Sequence, residues 1–495
     1  MLNKLSQIIL KFPISVMTII LLITAYFFHY AFLSEQRLIV DFSLEQMFPE
    51  SDPEKDSYQS FIDEFNREDD KILLVYDCDN PTSRKNISRI AELTEMMELD
   101  IDGIEGVISL SSIGDGDYFS EDLTDEEWNT QVEKLLQHPI YPNLIISSDG
   151  KTGSLLIDLE NDVIGQDART RVVSQLETVM NKVNWEWHEA GIPVLRTRYI
   201  QFMNQERAVF LPISFLVAMS VLLFIFRQIK SILIPLIAIS TTLIWVAGIM
   251  AHFEISINVV SYLTFNLLMI IGASNAIHLL MKYHEGLSLG LNQRDSLERV
   301  IQKIGGALFL TSFTTAVGFC SLGFTNIKVT QQFGLLVGFG VILMFILTII
   351  IMPIILNYIR PPDDEHIDRL IRGGQFLAAD RLNMWNQKHP RSILTISGIL
   401  FIGALFGLFK IDYNASVLED LKPGNPLYDD LQYVEQKMGG TLPLEVIIDT
   451  KSENGSLHPQ FLNIIQSFKN EILKTPEINT AITPGDYLML ANEEW

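Results

Sequence analysis

Charge is scarce in this chain. Asp, Glu, Lys and Arg make up 19% of its 495 residues, against 48% hydrophobic ones, whereas soluble domains carry about a quarter. That balance argues against an ordinary soluble protein. Cysteine is almost missing: Cys78 lies in a polar stretch and Cys320 in an apolar run, which excludes a disulfide framework. Basic residues are outnumbered 36 to 60, and the net charge of −24 excludes a nucleic-acid partner. Catalytic signals are lacking too. His29, His138 and His188 stand isolated, and neither a metal-ligand spacing nor a nucleophile elbow occurs. No enzyme activity, metal or cofactor is therefore expected. The acidic run DGDYFSEDLTDEE (Asp115–Glu127) reads either as a loose Ca²⁺ site or as a solvated surface ahead of a helix.

What the chain does have is long hydrophobic runs, and its mean hydropathy is +0.23. Seven blocks approach the ~20 residues that span a bilayer as helix. They are Ile14–Phe32, Val209–Phe226, Ile232–His252, Val259–Met281, Ile304–Phe324, Leu335–Tyr358 and Ile393–Phe409. The first has too long an apolar run for a signal peptide and no A-x-A-like site after it, so it reads as an uncleaved helix. Lys and Arg collect in alternate loops. Lys4 and Lys11 precede the first helix, Arg227 and Lys230 follow the second, and Lys282, Arg294, Arg299 and Lys303 follow the fourth. Arg360, Arg369, Arg372, Arg381, Lys388 and Arg391 follow the sixth, while the opposite loops carry little beyond Glu254 and Lys328. The bias places the N-terminus in the cytoplasm and both long polar stretches outside a plasma or inner membrane.

The first polar stretch alternates strand and helix patterns. Lys71–Asp77 reads as a strand, Ser83–Leu99 as a helix, Gly106–Leu110 as a strand and Asp125–His138 as a helix. Asn143–Ser147 and Thr152–Leu159 read as a hairpin about Asp149-Gly150. A helix over Asp167–Val183 and a strand near Ile192–Leu195 complete two α+β units of ferredoxin-like, split β-α-β character.

The chain then repeats itself. LKFPISVMTIILLI at Leu10 returns in pattern as QKHPRSILTISGIL at Gln387. IVDFSLEQMFPESDP at Ile39 returns as KIDYNASVLEDLKPGNP at Lys410, and ILLVYD at Ile72 as LEVIID at Leu444. The plan is a first membrane helix (1–33), an external α+β domain (34–207) and five helices (208–359). A cytoplasmic amphipathic connector (360–391), a seventh helix (392–410) and the start of a second external domain (411–495) follow. A full second copy would need the rest of that domain and five more helices, so the expected protein is longer than this chain.

A six-helix half with a large external domain after its first helix, duplicated in tandem, resembles the resistance-nodulation-division (RND) superfamily. RQIKSILIPLIAI (Arg227–Ile239) is similar to the superfamily's basic turn and third helix. GASNAIHLLMKYHE (Gly272–Glu285) is similar to its fourth helix, and LTSFTTAVGFCSLGFTNIKVTQQFGLLVGFGV (Leu310–Val341) to its fifth and sixth. The resemblance is nearest to MMPL-like and hopanoid-exporter-like members, and more distant to Patched-type sterol-sensing proteins. It implies a proton-driven exporter of lipids or other hydrophobic molecules, with membrane lipids and a homo-oligomeric or periplasmic accessory partner. The rivals are a lipid- or sterol-sensing receptor that does not pump, and an accessory like the SecD or SecF halves, which end after six helices.

The fourth helix carries the chemistry. Ser274, Asn275 and His278 project within an arc of about 100°, and Glu285 close to the same face. Thr311, Ser312, Thr314 and Thr315 on the fifth helix form a hydroxyl cluster at similar depth, so a hydrogen bond from Asn275 to it is expected. The resemblance implies a carboxylate at about Asn275, where an amide cannot titrate; His278, one turn on, can. Two readings stand open: a proton or cation relay, or polar side chains that hold helices together. Gly272, Gly318, Gly334 and Gly338 are the expected helix-packing glycines, with Gly340 extending the small-residue pattern. AGIPVLRTRYIQFMNQE (Ala190–Glu206) resembles the superfamily's hinge from external domain to membrane.

Overall fold

The computed structural model describes residues 9–34, 70–411 and 424–493 apart from short interruptions, with isolated positions between 38 and 62. In chain order the principal elements begin with α1 (Pro13–Phe28), which continues as a wider turn over His29–Leu33, then β1 (Lys71–Asp77) and α2 (Arg84–Asp100). β2 (Ile104–Ile108), α3 (Asp125–Gln137), β3 (Thr152–Leu159), α4 (Gln166–Met180) and β4 (Glu186–Ala190) follow. The long helices are α5 (Ile192–Phe226), α6 (Lys230–His252) and α7 (Leu263–Ser288), then α8 (Gln293–Lys303), α9 (Gly305–Cys320) and α10 (Lys328–Tyr358). Last come α11 (Asp364–Arg372), α12 (Gly374–Lys388), α13 (Pro390–Leu408), α14 (Pro426–Met438), α15 (Pro459–Ile472) and α16 (Pro484–Glu493). These form two compact units, Met1–Lys55 with Phe202–Tyr413, and Asp56–Gln201 with Asn414–Trp495.

The first unit is helical. Among the described residues, seven helical stretches are long and apolar enough to cross a membrane, and each overlaps one of the seven apolar blocks of the sequence. α10 lies at the centre, packed on α6, α7 and α9, while α6 also packs on α1. A helix that is apolar all round gains most from full enclosure, and α10 is the most enclosed of the seven; α13 has no buried residue. Where packing is tightest the side chains vanish. A methyl on Gly334 would strike the Phe319 carbonyl oxygen and Leu322, and one on Gly338 would strike Cys320 Sγ and the Ala316 carbonyl, so α9 and α10 touch nearly backbone to backbone. Gly272 lets α7 reach Ile239 on α6 and Met344 on α10, and Gly340 receives Leu268. Gly318 departs from the expected set: nothing lies within 4 Å of a methyl placed there. It sits on the side of α9 turned away from α10. Trp245 Nε1 donates to Thr24 Oγ1 at 2.8 Å, joining α6 to α1. The amphipathic connector forms α11 and α12, and α11 packs on α7 with Ile367 buried.

The second unit is built on one four-stranded antiparallel sheet in the order β2-β3-β1-β4. β1 is central, with Ile72, Leu74 and Tyr76 fully buried under α2 and α4 residues such as Ile90 and Leu176. Three expectations are corrected. The strand expected near Ile192–Leu195 lies earlier, at Glu186–Ala190, and Ile192 opens α5. Pro193 lacks an N–H and suits a first helical turn, while Gly191 breaks the strand at φ +114°. Asn143–Ser147 does not form a full hairpin strand. It meets β3 by the Ile146–Gly153 bridge, by Ser147 N–H donating to Thr152 O at 2.8 Å and by Ser154 N–H donating to Ile145 O at 2.9 Å. The segment 444–450, matched in sequence to β1, has no ladder partner among the described residues. The matched segments after the first and seventh helices lie outside the described residues, apart from Pro49 and the segment's first and last few positions.

Candidate functional site

α7 presents two different faces at mid-length. Asn275 is 5% exposed and points into the bundle, whereas Ser274 and His278, one turn apart, are exposed on the adjoining face. The close i, i+1 spacing of Ser274 and Asn275 explains the split, since neighbours differ by about 100° around a helix. The three therefore do not converge on one another. His284, which the sequence offered no reason to separate from His278, is the buried imidazole: it is 1% exposed, its Nδ1–H donates to Leu280 O at 2.6 Å, and its ring stacks on Phe226 at 5.6 Å.

The expected bond from Asn275 to the threonines is replaced by local bonds. Thr311 Oγ1 donates to Ala307 O at 3.0 Å, and Thr314 and Thr315 both donate to Thr311 O at 2.9 Å. Such back-bonding satisfies a hydroxyl within its own helix. Thr311 and Thr314 are exposed, and the chief neighbour of α9 is α10. Ser312 alone of the four faces inward, 2% exposed.

A different polar set emerges in the bundle. Among the described residues, Asn275 Nδ2, Thr264 Oγ1, Asn266 Oδ1, Ser312 Oγ and Thr348 Oγ1 are buried without a hydrogen-bond partner. α7 and α10 run parallel, with Leu268 against Gly340 and Met344 against Gly272. The same four-residue step brings Thr348 to the level of Asn275. An apolar bundle that leaves such atoms unpaired forgoes about 1–3 kcal/mol for each. Thr348 was missed because one threonine in an apolar helix is an ordinary interface residue in sequence.

The packing glycines allow a direct check. Gly338→Leu is expected to wedge α9 from α10 and lower stability by about 1–3 kcal/mol, whereas Gly318→Leu should leave the thermal midpoint nearly unchanged. Equal losses in the two variants would remove the assigned difference.

The second unit holds a polar cluster of its own. Asp77 at the end of β1 accepts from Thr152 Oγ1 at 2.7 Å and from the Tyr433 hydroxyl of α14. Tyr433 stacks on His188 of β4 at 3.9 Å, and His188 Nδ1 lies 2.7 Å from Asp430 Oδ1. Burial, followed by the bond to the Asp77 carboxylate, holds the Tyr433 phenol far above its ordinary range. Burial likewise pushes the free thiol of Cys78 up to about 11, so it is a poor nucleophile. The cluster fixes α14 on the sheet edge, a role that no motif announced.

Residues 47–383 match the sequence model of the MMPL family. Over 387 residues the chain is 21% identical to the protein described as "Putative membrane protein MJ1562" of Methanocaldococcus jannaschii, covering 73% of this chain and 93% of that one.

Proposed function

The chain belongs to the MMPL family of membrane proteins, and from that premise we propose that it is a transporter of the RND type that exports a lipid or other hydrophobic substrate, driven by protons. The observation that carries this reading is the row of buried, unpartnered polar atoms in the bundle, Asn275 and Thr348 foremost. Polar groups at membrane depth are kept where they serve a path for water, protons or ions. His278 supplies the titratable group one turn from Ser274. Its exposed position on α7 is costly against lipid, which favours a covering helix or a wet passage on that face.

The remaining parts fit the same reading. The strand order β2-β3-β1-β4 with crossing helices suits a ferredoxin-like external domain. The repeat is supported by matching helix starts: α1 and α13 both open on proline, after residues with φ/ψ of −125°/51° and −128°/46°. The Lys and Arg bias orients the N-terminus to the cytoplasm of an inner or plasma membrane. The function is transport and not catalysis, and a homo-oligomer or a periplasmic accessory protein would complete it.

The test uses the full-length protein in proteoliposomes carrying a fluorescent acyl phospholipid, with and without an imposed pH gradient. Gradient-driven movement of the lipid is expected to be abolished in His278→Ala and in Asn275→Leu. Because Asn275 Nδ2 has no partner to lose, Asn275→Leu should keep or raise the melting temperature, where a helix-gluing role would lower it. Undiminished transport in His278→Ala sinks the relay. Lipid binding without gradient-driven movement in the wild type would point to the sensing rival.

A further inference from the structure

A cleft opens where α5 hands over to α6 and where α7 and α10 end. It is lined by Gln228, Lys230, Ser231, Ile234, Tyr283, His284, Leu356, Ile359, Arg360 and Pro362. Its polar wall is cationic. Lys230 and Arg360 are exposed side chains with no ion pair among the described residues. The carboxylates that follow, Asp363, Asp364 and Glu365, do not line it. Lys230 and Ser231 are also the first two residues of α6, a 23-residue helix whose cap position, Ile229, offers no side-chain bond. The positive end of the α6 helix dipole therefore lies beside the cleft.

Ser231 is the independent sign of a ligand. It is 5% exposed, lines the cleft, and has no hydrogen-bond partner among the described residues. The site is held in shape from behind. Gln293 Nε2 donates to Leu356 O at 2.5 Å and to Ile359 O at 2.7 Å, fixing the last turn of α10 and so the approach to Arg360. Arg227, at φ +51°, forms the turn that presents Gln228 and Lys230. Ile234, Leu356 and Ile359 form an apolar wall beside the cations.

We infer that this cleft binds a phosphate-bearing anion, with Lys230, Arg360, Ser231 and the α6 N-terminus as donors. The apolar side chains Ile234, Leu356 and Ile359 beside the cations favour an anionic phospholipid of the leaflet at this end of the bundle as the source of that anion. A helix N-terminus flanked by an arginine and a lysine suits phosphate geometry. Basic pockets between membrane helices hold anionic headgroups by the same forces. The inference does not depend on what the protein exports.

The test is native mass spectrometry and thermal melting of the full-length protein with three probes: phosphatidylglycerol, phosphatidylcholine and inorganic phosphate. Wild type is expected to retain phosphatidylglycerol about tenfold more strongly than phosphatidylcholine, a gap of about 1.4 kcal/mol. Lys230→Gln/Arg360→Gln should erase that preference. Both side chains are exposed, so folding should persist, and Ser231→Ala gives a milder second variant. If inorganic phosphate protects as well as phosphatidylglycerol does, and the double variant loses this protection, a soluble phosphate compound is the ligand of the same site. An unchanged lipid preference in the double variant, or no selectivity for either phosphate anion over phosphatidylcholine in the wild type, overturns the inference.

Discussion

Arg198→Ala is expected to destabilise the unit built on the four-stranded sheet by about 3–5 kcal/mol at neutral pH, a large effect for a single side-chain truncation. The Arg198 guanidinium, at the start of α5, donates Nε–H to Glu189, Nη2–H to Glu177 and Nη1–H to Gln201 Oε1 at 3.1 Å. The Glu189 side chain is only 4% exposed. Truncating the arginine strands that carboxylate in the protein interior, and the cost of an uncompensated charge exceeds the worth of the pair itself. Burial already holds Glu189 above the ordinary glutamate range, outweighing the pull of Arg198. The sign of the pH dependence follows. A raised carboxyl pKa contributes stability below the ordinary value of about 4.3, and that stability is lost as pH rises through the folded value. Removing Arg198 raises the Glu189 pKa further, so the loss should be small near that pH and full at neutrality. Paired melting curves of wild type and variant at the two pH values measure it. The same deficit at both would mean that the effect is lost packing and not stranded charge.

Gly191→Ala is expected to cost about 3 kcal/mol or more, combining ~1–3 kcal/mol of backbone strain with ~1–3 kcal/mol of overpacking. Gly191 joins β4 to α5 at φ +114°, where L-residues are strained. A methyl there would strike the Lys71 carbonyl oxygen and lie 3.3 Å from Ile72 Cα. Those atoms belong to the central strand, which is locked to β4 by the Leu73–Ala190 pairing and to β3 along its whole length. The backbone therefore has no room to yield. Gly424→Ala separates the two causes: its φ is +87° but nothing lies within 4 Å of the added methyl, so it should carry the strain alone. Near-ultraviolet dichroism follows the loss, because Trp185 stacks on Tyr76 at 5.1 Å in the same core. Equal losses at both positions would refute the steric part.

These two residues lie in Ala190–Glu206, the stretch whose sequence resembles a domain-to-membrane hinge. The sequence marks it only as a Gly-Pro punctuated segment with two arginines. Neither the buried ion cluster nor the collision at Gly191 can be read there, because both depend on β1 and α4, which lie up to 120 positions away. The hairpin expected at Asn143–Ser147 failed for a related reason. Its Asp149-Gly150 turn is present, with Gly150 at φ +70°, but pairing beyond the turn is set by the rest of the sheet.

The sequence by itself determined the membrane class, the seven apolar helices, the polar α+β stretch between the first two of them and the family. Bilayer thickness and helix periodicity act locally, and they write themselves into runs of about 20 residues. The tertiary structure alone decided which polar groups share an environment. It turned Asn275 inward and His278 outward, gave Thr311, Thr314 and Thr315 to their own helix, and set Thr348 level with Asn275. A helix fixes the angle between side chains, but only the packing of α10 against α6, α7 and α9 fixes which angle faces the core.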